Sequence, residues 1–143
     1  MKLSIVIPCY NEEGILPLTL KRLNKLSNEW ISRDDLTEIE IEIEFVFVDD
    51  GSQDRTYDLL TETSKAEKRV KVIRFSRNFG HQAALLAGYE LAQGDVIVSL
   101  DTDLQYLPEL FEKVEHLQAM KHSMKLMLQE FVTTILHLGM GMA

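Results

Sequence analysis

Four short apolar runs constrain the fold of this chain more than any other feature of its sequence. They cover residues 3–7, 45–48, 70–75 and 96–100 and are rich in valine, isoleucine and phenylalanine, which is typical of strands buried within a sheet. Between the runs, apolar residues recur at helical spacing, as in residues 15–26. This β-α-β-α-β-α-β alternation predicts an α/β fold with a mostly parallel sheet, flanked by helices and joined by right-handed crossovers.

The limits of several elements can also be predicted from local residues. Pro8 is expected to end the first strand. Glu and Ile alternate over positions 38–44, and an apolar run follows at 45–48. This pattern predicts that the second strand enters the sheet from a half-exposed end. The third run is more polar than the others, so we expect it near an edge of the sheet. Helices are expected over residues 56–67 and 83–92.

Polar residues follow the first, second and fourth runs, and the carboxyl ends of parallel strands meet at one edge, where ligands bind. After the first run, Asn11 and Glu12 could either bind a ligand or cap the next helix. After the second run, Asp49 and Asp50 could hold a base or ribose. Alternatively, they could belong to a loop in which the following Gly-Ser supplies a turn and a helix cap.

Two carboxylates, Asp101 and Asp103, follow the fourth run with one residue between them. An ionised Asp is seldom buried unless it is paired or bound to a metal. Carboxylates are preferred ligands of Mg²⁺ and Mn²⁺, which usually contact a substrate's phosphates as well. A surface turn with two solvated carboxylates is the alternative. Because the polar clusters converge on one edge of the sheet, we favour a metal–diphosphate site.

Two further candidates precede the helix expected over residues 83–92. Arg77 offers a forked set of donors that suits a phosphate. His81 could act as an acid or base, although a single histidine at the start of a helix more often forms a structural hydrogen bond.

The composition excludes several classes of protein. With 23 acidic and 15 basic residues, the formal net charge is −8, so nucleic acid is not an expected partner. The single cysteine, Cys9, allows no internal disulfide and no cysteine-built zinc site. No apolar stretch reaches the roughly 18 residues of a transmembrane helix. We therefore expect a cytoplasmic protein without a transmembrane helix.

Four segments together resemble the inverting glycosyltransferases of family 2, which have the GT-A fold. The segments are residues 5–13, 47–52, 76–82 and 100–105, and the resemblance extends over residues 3–115. Within the family, the chain is most similar to polyprenyl-phosphate sugar transferases, such as dolichyl-phosphate mannosyltransferase and the bactoprenol glucosyltransferases. The resemblance implies a GT-A, Rossmann-like sheet that is truncated after the Asp-x-Asp strand.

The resemblance also implies a donor and the residues that bind it. The donor would be a nucleotide-diphosphate sugar linked to UDP or GDP. Asp49 and Asp50 would contact the base and ribose, and Arg77 would lie near the diphosphate. Four residues that follow the first run would line the nucleotide pocket: Pro8, Tyr10, Asn11 and Glu12.

By the same resemblance, Asp101 and Asp103 would bind Mg²⁺ or Mn²⁺, with Gln105 beside the metal, and Asp101 would also contact the donor. The metal would neutralise charge on the departing nucleoside diphosphate while an acceptor phosphate attacks the sugar. The implied acceptor is a polyprenyl phosphate, which would place the protein at the cytoplasmic face of a membrane.

The end of the chain departs from the family. We expect residues 1–115 to form the nucleotide-sugar-binding part and residues 116–143 to form a Met-rich helical tail. The acceptor contacts and the catalytic base are expected to be absent, and no catalytic residue is identified. Seven apolar residues of the tail could form a stripe for packing or homo-oligomerisation: Met124, Leu126, Met127, Leu128, Phe131, Ile135 and Leu138. The alternative function is therefore a truncated, inactive fragment that binds nucleotide or oligomerises.

Overall fold

The computed structural model of the protein describes residues 2–31 and 42–105, and it describes individual helical positions between residues 112 and 133. Within these residues the elements are β1 (Lys2–Cys9), α1 (Leu16–Ile31), β2 (Glu42–Asp49), α2 (Thr56–Ala66), β3 (Val70–Arg74), α3 (His81–Leu91) and β4 (Val96–Ser99). The strands pair in parallel in the order β3-β2-β1-β4. The predicted α/β fold is therefore confirmed, and the third strand lies at an edge as expected.

The strand order changes direction beside β1. From β1 the chain proceeds to β2 and β3 on one side, and it then crosses back to place β4 on the other side of β1. Right-handed crossovers put α1 and α2 on one face of the sheet and α3 on the other. The gap between the carboxyl ends of β1 and β4 is the switch point, where sheets of this kind bind ligands.

Apolar side chains of the two central strands form most of the core. Those that are almost fully buried are Leu3, Ile5, Val6 and Ile7 on β1 and Ile43, Val46, Phe47 and Val48 on β2. Helix α3 packs closely against this layer through Gly88. A Cβ at Gly88 would lie 2.3 Å from the Cγ1 of Val6, so a larger residue at this position would push α3 away from the sheet.

Contrary to the sequence expectation, Pro8 does not end β1, which continues to Cys9. Strand β4 pairs with β1 only over Leu3–Val6, whereas β2 pairs with β1 along its whole length. The Cys9 carbonyl faces β2, where it accepts the N–H of Asp50 at 2.8 Å. The adjacent Pro8 therefore faces the side where β4 has already ended, and its missing N–H removes no hydrogen bond from the sheet.

A buried carboxylate, Glu44, joins the three strands β1, β2 and β3 to the loop before β4. Its side chain is 4% exposed, and its Oε2 lies 2.8 Å from Lys71 Nζ and 3.2 Å from Lys2 Nζ. Its Oε1 accepts hydrogen bonds from the Ser4 hydroxyl at 2.5 Å and from the Gln93 N–H at 2.7 Å. Burial alone would raise the pKa of this carboxyl, but these four partners lower it to about 2.

The chain divides into two compact units, residues 1–105 and 106–143. The first unit ends before residue 115, where the sequence placed the boundary. In the second unit, the described positions are helical, and the exposed apolar ones are Met120, Met124, Leu126, Met127 and Leu128. The remaining residues of the expected stripe lie outside the described residues: Phe131, Ile135 and Leu138. No helix in the described part of the chain is long and apolar enough to span a membrane.

Candidate functional site

A cavity of about 580 Å³ opens at the carboxyl edge of the sheet, beside the switch point between β1 and β4. We call it the edge cavity. Its lining comes from the carboxyl end of β1, the loops that follow the four described strands and the start of α3: Pro8, Cys9, Tyr10, Glu12, Ile15, Asp50, Asn78, Gly80, His81, Asp101, Thr102 and Asp103. The polar clusters recognised in the sequence therefore meet at one edge of the sheet.

Six of the ten candidate site residues line the edge cavity: Pro8, Tyr10, Glu12, Asp50, Asp101 and Asp103. The other four are not among the lining residues: Asn11, Arg77 and Gln105 in the loops, and Asp49 at the end of β2. For Asn11 and Asp49, local hydrogen bonds account for this position.

The first loop, after β1, is fixed to the second loop, after β2, by Asn11. The Asn11 side-chain oxygen accepts the N–H of Gln53 at 2.9 Å, and the Asn11 N–H donates to the Ser52 hydroxyl at 2.9 Å. The φ of Asn11 is 51°, a left-handed conformation that asparagine adopts more readily than most residues. Because α1 begins only at Leu16, Asn11 joins two loops instead of capping this helix. The hydroxyl of Ser52 is likewise used between the loops.

Further hydrogen bonds continue this junction to the start of α2. The N–H of Glu12 donates to Thr56 Oγ1 at 2.8 Å, and that hydroxyl donates to Asp54 Oδ1 at 2.6 Å. The N–H of Glu13 donates to Asp54 Oδ2 at 3.2 Å. Burial opposes ionisation of Asp54, but these hydrogen bonds and that from the Thr56 N–H lower the pKa of its carboxyl. The backbone of Glu12 is thus fixed while its side chain lines the edge cavity.

Asp49 is fully buried at the end of β2, beneath the second loop. Its Oδ1 accepts the N–H of Ser52 at 3.1 Å, and its Oδ2 lies 3.8 Å from Arg74 Nε. The chain turns sharply after Asp49 because Gly51 has a φ of 73°. A Cβ at Gly51 would lie 2.2 Å from the carbonyl carbon of Arg77. Asp49 therefore supports the turn at which the second and third loops come together.

Asp50 lines the edge cavity and also holds the third loop, which follows β3. Its Oδ1 accepts the N–H of Phe79 at 2.7 Å, and its Oδ2 accepts the N–H of Gly80 at 3.1 Å. The residue is only 4% exposed, so this two-point contact is shielded from water. Through it, Asp50 places Asn78 and His81 at the wall of the cavity.

The turn from Asp101 to Gln105, which we call the acidic turn, follows β4. Asp101 and Asp103 are exposed, whereas Thr102 and Leu104, which alternate with them, are buried. The N–H of Leu104 donates to the Asp101 carbonyl at 3.0 Å, and the N–H of Gln105 donates to Asp103 Oδ1 at 3.1 Å. The alternation anchors the turn and leaves both carboxylates at the edge cavity.

The donor set of Asp101 and Asp103 fits a hard divalent cation. Within residues 2–31 and 42–105, neither carboxylate is paired with a lysine or arginine. Among the described residues, no group of three or more His, Cys, Asp or Glu side chains could hold a metal by itself. A Mg²⁺ site often has only one or two protein carboxylates and completes its shell with water and substrate phosphates. A cation here would therefore need a phosphate-bearing ligand.

A second cavity of about 510 Å³, which we call the arginine cavity, shares Tyr10 with the edge cavity. Its lining includes Arg74 and Arg77. The guanidinium of Arg77 lies 4.2 Å from the centre of the Phe79 ring, and that of Arg74 lies 4.1 Å from the centre of the Tyr57 ring. Stacking on a ring leaves the in-plane N–H donors of a guanidinium available to an anion.

The edge cavity is rich in carboxylates, which come from Glu12, Asp50, Asp101 and Asp103. Among the described residues that line it, His81 is the only basic one.

Burial raises the pKa of the Cys9 thiol well above its usual range, and the charges of Glu12 and Asp49 raise it further. Cys9 therefore remains a thiol at neutral pH and is a poor nucleophile.

Sequence reasoning did not single out Asn78 and Gly80 as lining residues. Gly80 has a φ of 99° directly before α3, and a glycine between a polar loop and a helix is a signal that could have pointed to it. For Asn78, no local signal distinguishes it from other polar loop residues. Its place at the cavity depends on the contact between Asp50 and the third loop.

A family model and curated relatives that match this sequence agree with one another. The family model described as Glycosyl transferase family 2 matches residues 4–124. The uncharacterized glycosyltransferase YkcC of Bacillus subtilis (strain 168) is 46% identical over 107 residues, which cover 75% of this chain and 30% of that protein. The undecaprenyl-phosphate 4-deoxy-4-formamido-L-arabinose transferase of Pectobacterium atrosepticum is 40% identical over 111 residues, which cover 74% of this chain and 30% of that protein.

Solved structures support the fold. The crystal structure of S. aureus TarS 1-349 in complex with UDP aligns with a TM-score of 0.56 and 27% sequence identity, covering 72% of this chain and 28% of that one. This chain thus spans about 30% of the length of the two curated relatives described above.

Proposed function

This chain belongs to glycosyl transferase family 2, and from that membership we propose that residues 2–105 bind a nucleotide-diphosphate sugar together with Mg²⁺ or Mn²⁺. The observation that carries the proposal is the position of Asp101 and Asp103. Both are exposed, and both line the edge cavity at the switch point of the sheet. The UDP bound by TarS, which has the same fold, and the transferase activity named for the Pectobacterium relative support the same ligand class.

The charge of the edge cavity explains why a metal is part of the proposal. A diphosphate would be repelled by four carboxylates unless a cation lay between them. A divalent cation held by Asp101 and Asp103 would supply that charge and would stabilise the nucleoside diphosphate as it leaves the sugar. Gln105 lies two residues after Asp103 in the chain, and we propose that it lies beside the metal.

The remaining candidates are proposed to hold the nucleotide. Tyr10 lines both cavities, so a nucleotide whose diphosphate lies in the edge cavity could extend past Tyr10 toward Arg77. Pro8, Asn11 and Glu12 would form the wall beneath it. Asp49 and Asp50 would serve this site mainly by shaping the second and third loops, in addition to the base and ribose contacts that the family resemblance implies.

The acceptor is proposed from the relatives. The Pectobacterium protein is named as an undecaprenyl-phosphate 4-deoxy-4-formamido-L-arabinose transferase, and we propose a polyprenyl phosphate as the acceptor of the family protein to which this chain corresponds. A lipid acceptor of this kind would place transfer at the cytoplasmic face of a membrane. The chain spans about 30% of that relative, so transfer by this chain alone is a separate question from donor binding.

Calorimetric titration of UDP and GDP, each with and without Mn²⁺, tests the donor site. We expect Mn²⁺-dependent binding of a nucleotide by the wild type, weakened by about tenfold or more in Asp103→Ala. The matched control is Asp58→Ala, which removes an exposed carboxylate from α2, away from the edge cavity. Absence of binding in the wild type, or equal binding by Asp103→Ala, would contradict the proposal.

Turnover is measured separately, as sugar release or transfer from a labelled UDP-sugar. Turnover by this chain would exclude an inactive fragment. Nucleotide binding without turnover would identify the chain as a binding unit only.

A second candidate function, self-association, is favoured by the exposed apolar side chains in residues 106–143. Met127 is 69% exposed, and Met124 and Leu128 are each 60% exposed. Apolar helical residues this exposed often lie in contacts between proteins. Light scattering after size exclusion should give a dimer or larger species that dissociates when Met127 and Leu128 are both changed to Ser. A monomeric wild type would rule this candidate out.

A further inference from the structure

Thr19, in the first turn of α1, donates a hydrogen bond to the acidic turn across 83 residues of sequence. Its Oγ1 lies 2.5 Å from the carbonyl oxygen of Thr102. The side chain of Thr19 is 2% exposed and Thr102 is 7% exposed, so the hydrogen bond is buried. Thr102 lines the edge cavity, but neither residue is proposed above as a ligand of the nucleotide or the metal.

The geometry around the Thr19 hydroxyl indicates that Thr102 is its main acceptor. The hydroxyl also lies 3.2 Å from the Ile15 carbonyl, which is the usual acceptor for a threonine within a helix. That carbonyl already accepts the N–H groups of Leu18 and Thr19, both at 3.1 Å. The shorter contact, to Thr102, therefore takes the hydroxyl hydrogen.

The acidic turn needs support from outside itself. Leu104 has a φ of 56°, in the left-handed region, where a bulky residue is strained and persists only if its surroundings hold it. Two contacts from the rest of the chain meet this need. The side chain of Leu104 is buried, and the Thr102 carbonyl is held by Thr19.

Fixing Thr102 affects both carboxylates because Asp101 and Asp103 are its two neighbours in the chain. Both residues are exposed and line the edge cavity, whereas the Thr102 carbonyl is held from the side of α1. Ligands of a small divalent cation must be held in nearly fixed positions, since such ions require near-ideal geometry. A free rotation at Thr102 would change the separation of the two carboxylates.

We propose that Thr19 is a positioning residue, whose hydroxyl holds the Thr102 carbonyl so that Asp101 and Asp103 can share one divalent cation. This inference rests on the proposed function, since it assigns a support to the same metal site. It extends the site to α1, which contributes no charged group to it.

The test compares Thr19→Val, which keeps the shape and loses the hydroxyl, with Thr19→Ser, which keeps the hydroxyl. The matched control is Thr63→Val, because the hydroxyl of Thr63 donates only to Leu59 of its own helix α2.

The first measurement is amide hydrogen exchange of Leu104 and Gln105 without metal, since both N–H groups bond within the acidic turn. The second is the affinity for Mn²⁺ in the presence of saturating UDP.

We expect Thr19→Val to speed exchange at both amides by roughly five- to tenfold and to weaken Mn²⁺ binding by a similar factor, the effect of one lost hydrogen bond. Thr19→Ser should keep the wild-type exchange rates and Mn²⁺ affinity, and Thr63→Val should change neither. If Thr19→Val does not fold, Thr19→Ala provides the same comparison without a new buried methyl group.

The outcomes separate this inference from the proposed function. Unchanged exchange in Thr19→Val overturns the positioning role whatever the metal does. Faster exchange with unchanged Mn²⁺ affinity also overturns it and leaves the proposed metal site intact. A wild type that binds no Mn²⁺ overturns the metal site itself, and the positioning role is then lost with it.

Discussion

Gly51 and Arg77 approach so closely that a Cβ on the glycine would lie 2.2 Å from the carbonyl carbon of the arginine. The contact joins the loops that follow β2 and β3. Gly51 also has a φ of 73°, which favours glycine for a second, independent reason. The Gly-Ser turn that the sequence predicts is therefore also the place where two walls of the site meet.

Changing Gly51 to Ala should destabilise the protein by about 2–4 kcal/mol, because the new methyl group overlaps backbone atoms that cannot move aside without shifting the third loop. Nucleotide affinity should fall as well. Urea unfolding and calorimetry measure the two effects. The control is Gly14→Ala, since nothing lies within 4 Å of a Cβ built at Gly14. Equal stability of the two variants would contradict the close contact at Gly51.

Asp50→Asn should destabilise the protein by about 1–2 kcal/mol and weaken nucleotide binding. The new amide keeps one acceptor oxygen, so its NH₂ group must face the N–H of either Phe79 or Gly80, and one of these donors loses its partner. Asp58→Asn, on the exposed surface of α2, controls for the loss of charge. If Asp50→Asn has wild-type stability but binds no nucleotide, Asp50 acts by direct contact with the ligand and not by holding the third loop.

The stability of the protein should decrease in acid because of Glu44. Its folded pKa, about 2, is lower than the ordinary value of 4.5, so protonation favours the unfolded chain. The ionised Glu44 carboxylate therefore contributes on the order of 2 kcal/mol to the free energy of unfolding. This contribution is complete above about pH 5 and is lost as the pH falls toward 2. Thermal unfolding between pH 2 and 7 should show this loss in the wild type and a flatter profile in Glu44→Gln, in which Asp54 keeps its lowered pKa.

Glu42→Gln is the matched control for Glu44, because Glu42 is on the same strand and exposed. It should retain the acid sensitivity of the wild type. The same sensitivity in Glu44→Gln would assign the acid loss to other carboxylates.

Arg77→Lys should weaken nucleotide binding in the presence of Mn²⁺ by roughly five- to tenfold. Lysine keeps the charge but has neither the planar fork nor the stacking surface that rests on Phe79. Arg22→Lys, on the exposed side of α1, is the control. Calorimetric titration of UDP with Mn²⁺ present measures the affinity of both variants, and wild-type affinity in Arg77→Lys would contradict a role of the Arg77 guanidinium at the nucleotide.

The sequence predicted the elements of the fold and most of the edge cavity because these depend on local patterns. Apolar runs and their spacing define the four strands, and polar residues at the strand ends must share an edge once the sheet is parallel. The same patterns could not identify residues whose role depends on a distant partner. The alternating Glu-Ile segment predicts a half-exposed strand end, yet Glu44 is buried, because Lys2 and Lys71 come to it from neighbouring strands.

The roles of Pro8 and Asn11 likewise depend on distant parts of the chain and could not be predicted from local patterns. Pro8 is tolerated within β1 only because β4 ends earlier beside it, which is a property of the neighbouring strand. Asparagine is a residue type that often caps a helix, but Asn11 forms hydrogen bonds with Gln53 and Ser52 in the folded structure. In each case the local residue type was compatible with two arrangements, and contacts between distant parts of the chain selected one.

The position of β1 at the centre of the sheet has a consequence for how the protein folds. Within residues 2–31 and 42–105, β1 is the first strand, yet it pairs with β4, the last strand of that part of the chain, and Thr19 reaches Thr102 across 83 residues. Contacts between such distant residues slow folding, because a long loop must close before they form. A nascent chain that has emerged only as far as β3 contains three of the four loops but not the acidic turn. The ability to bind a metal-bound nucleotide should therefore arise only once β4 has docked beside β1.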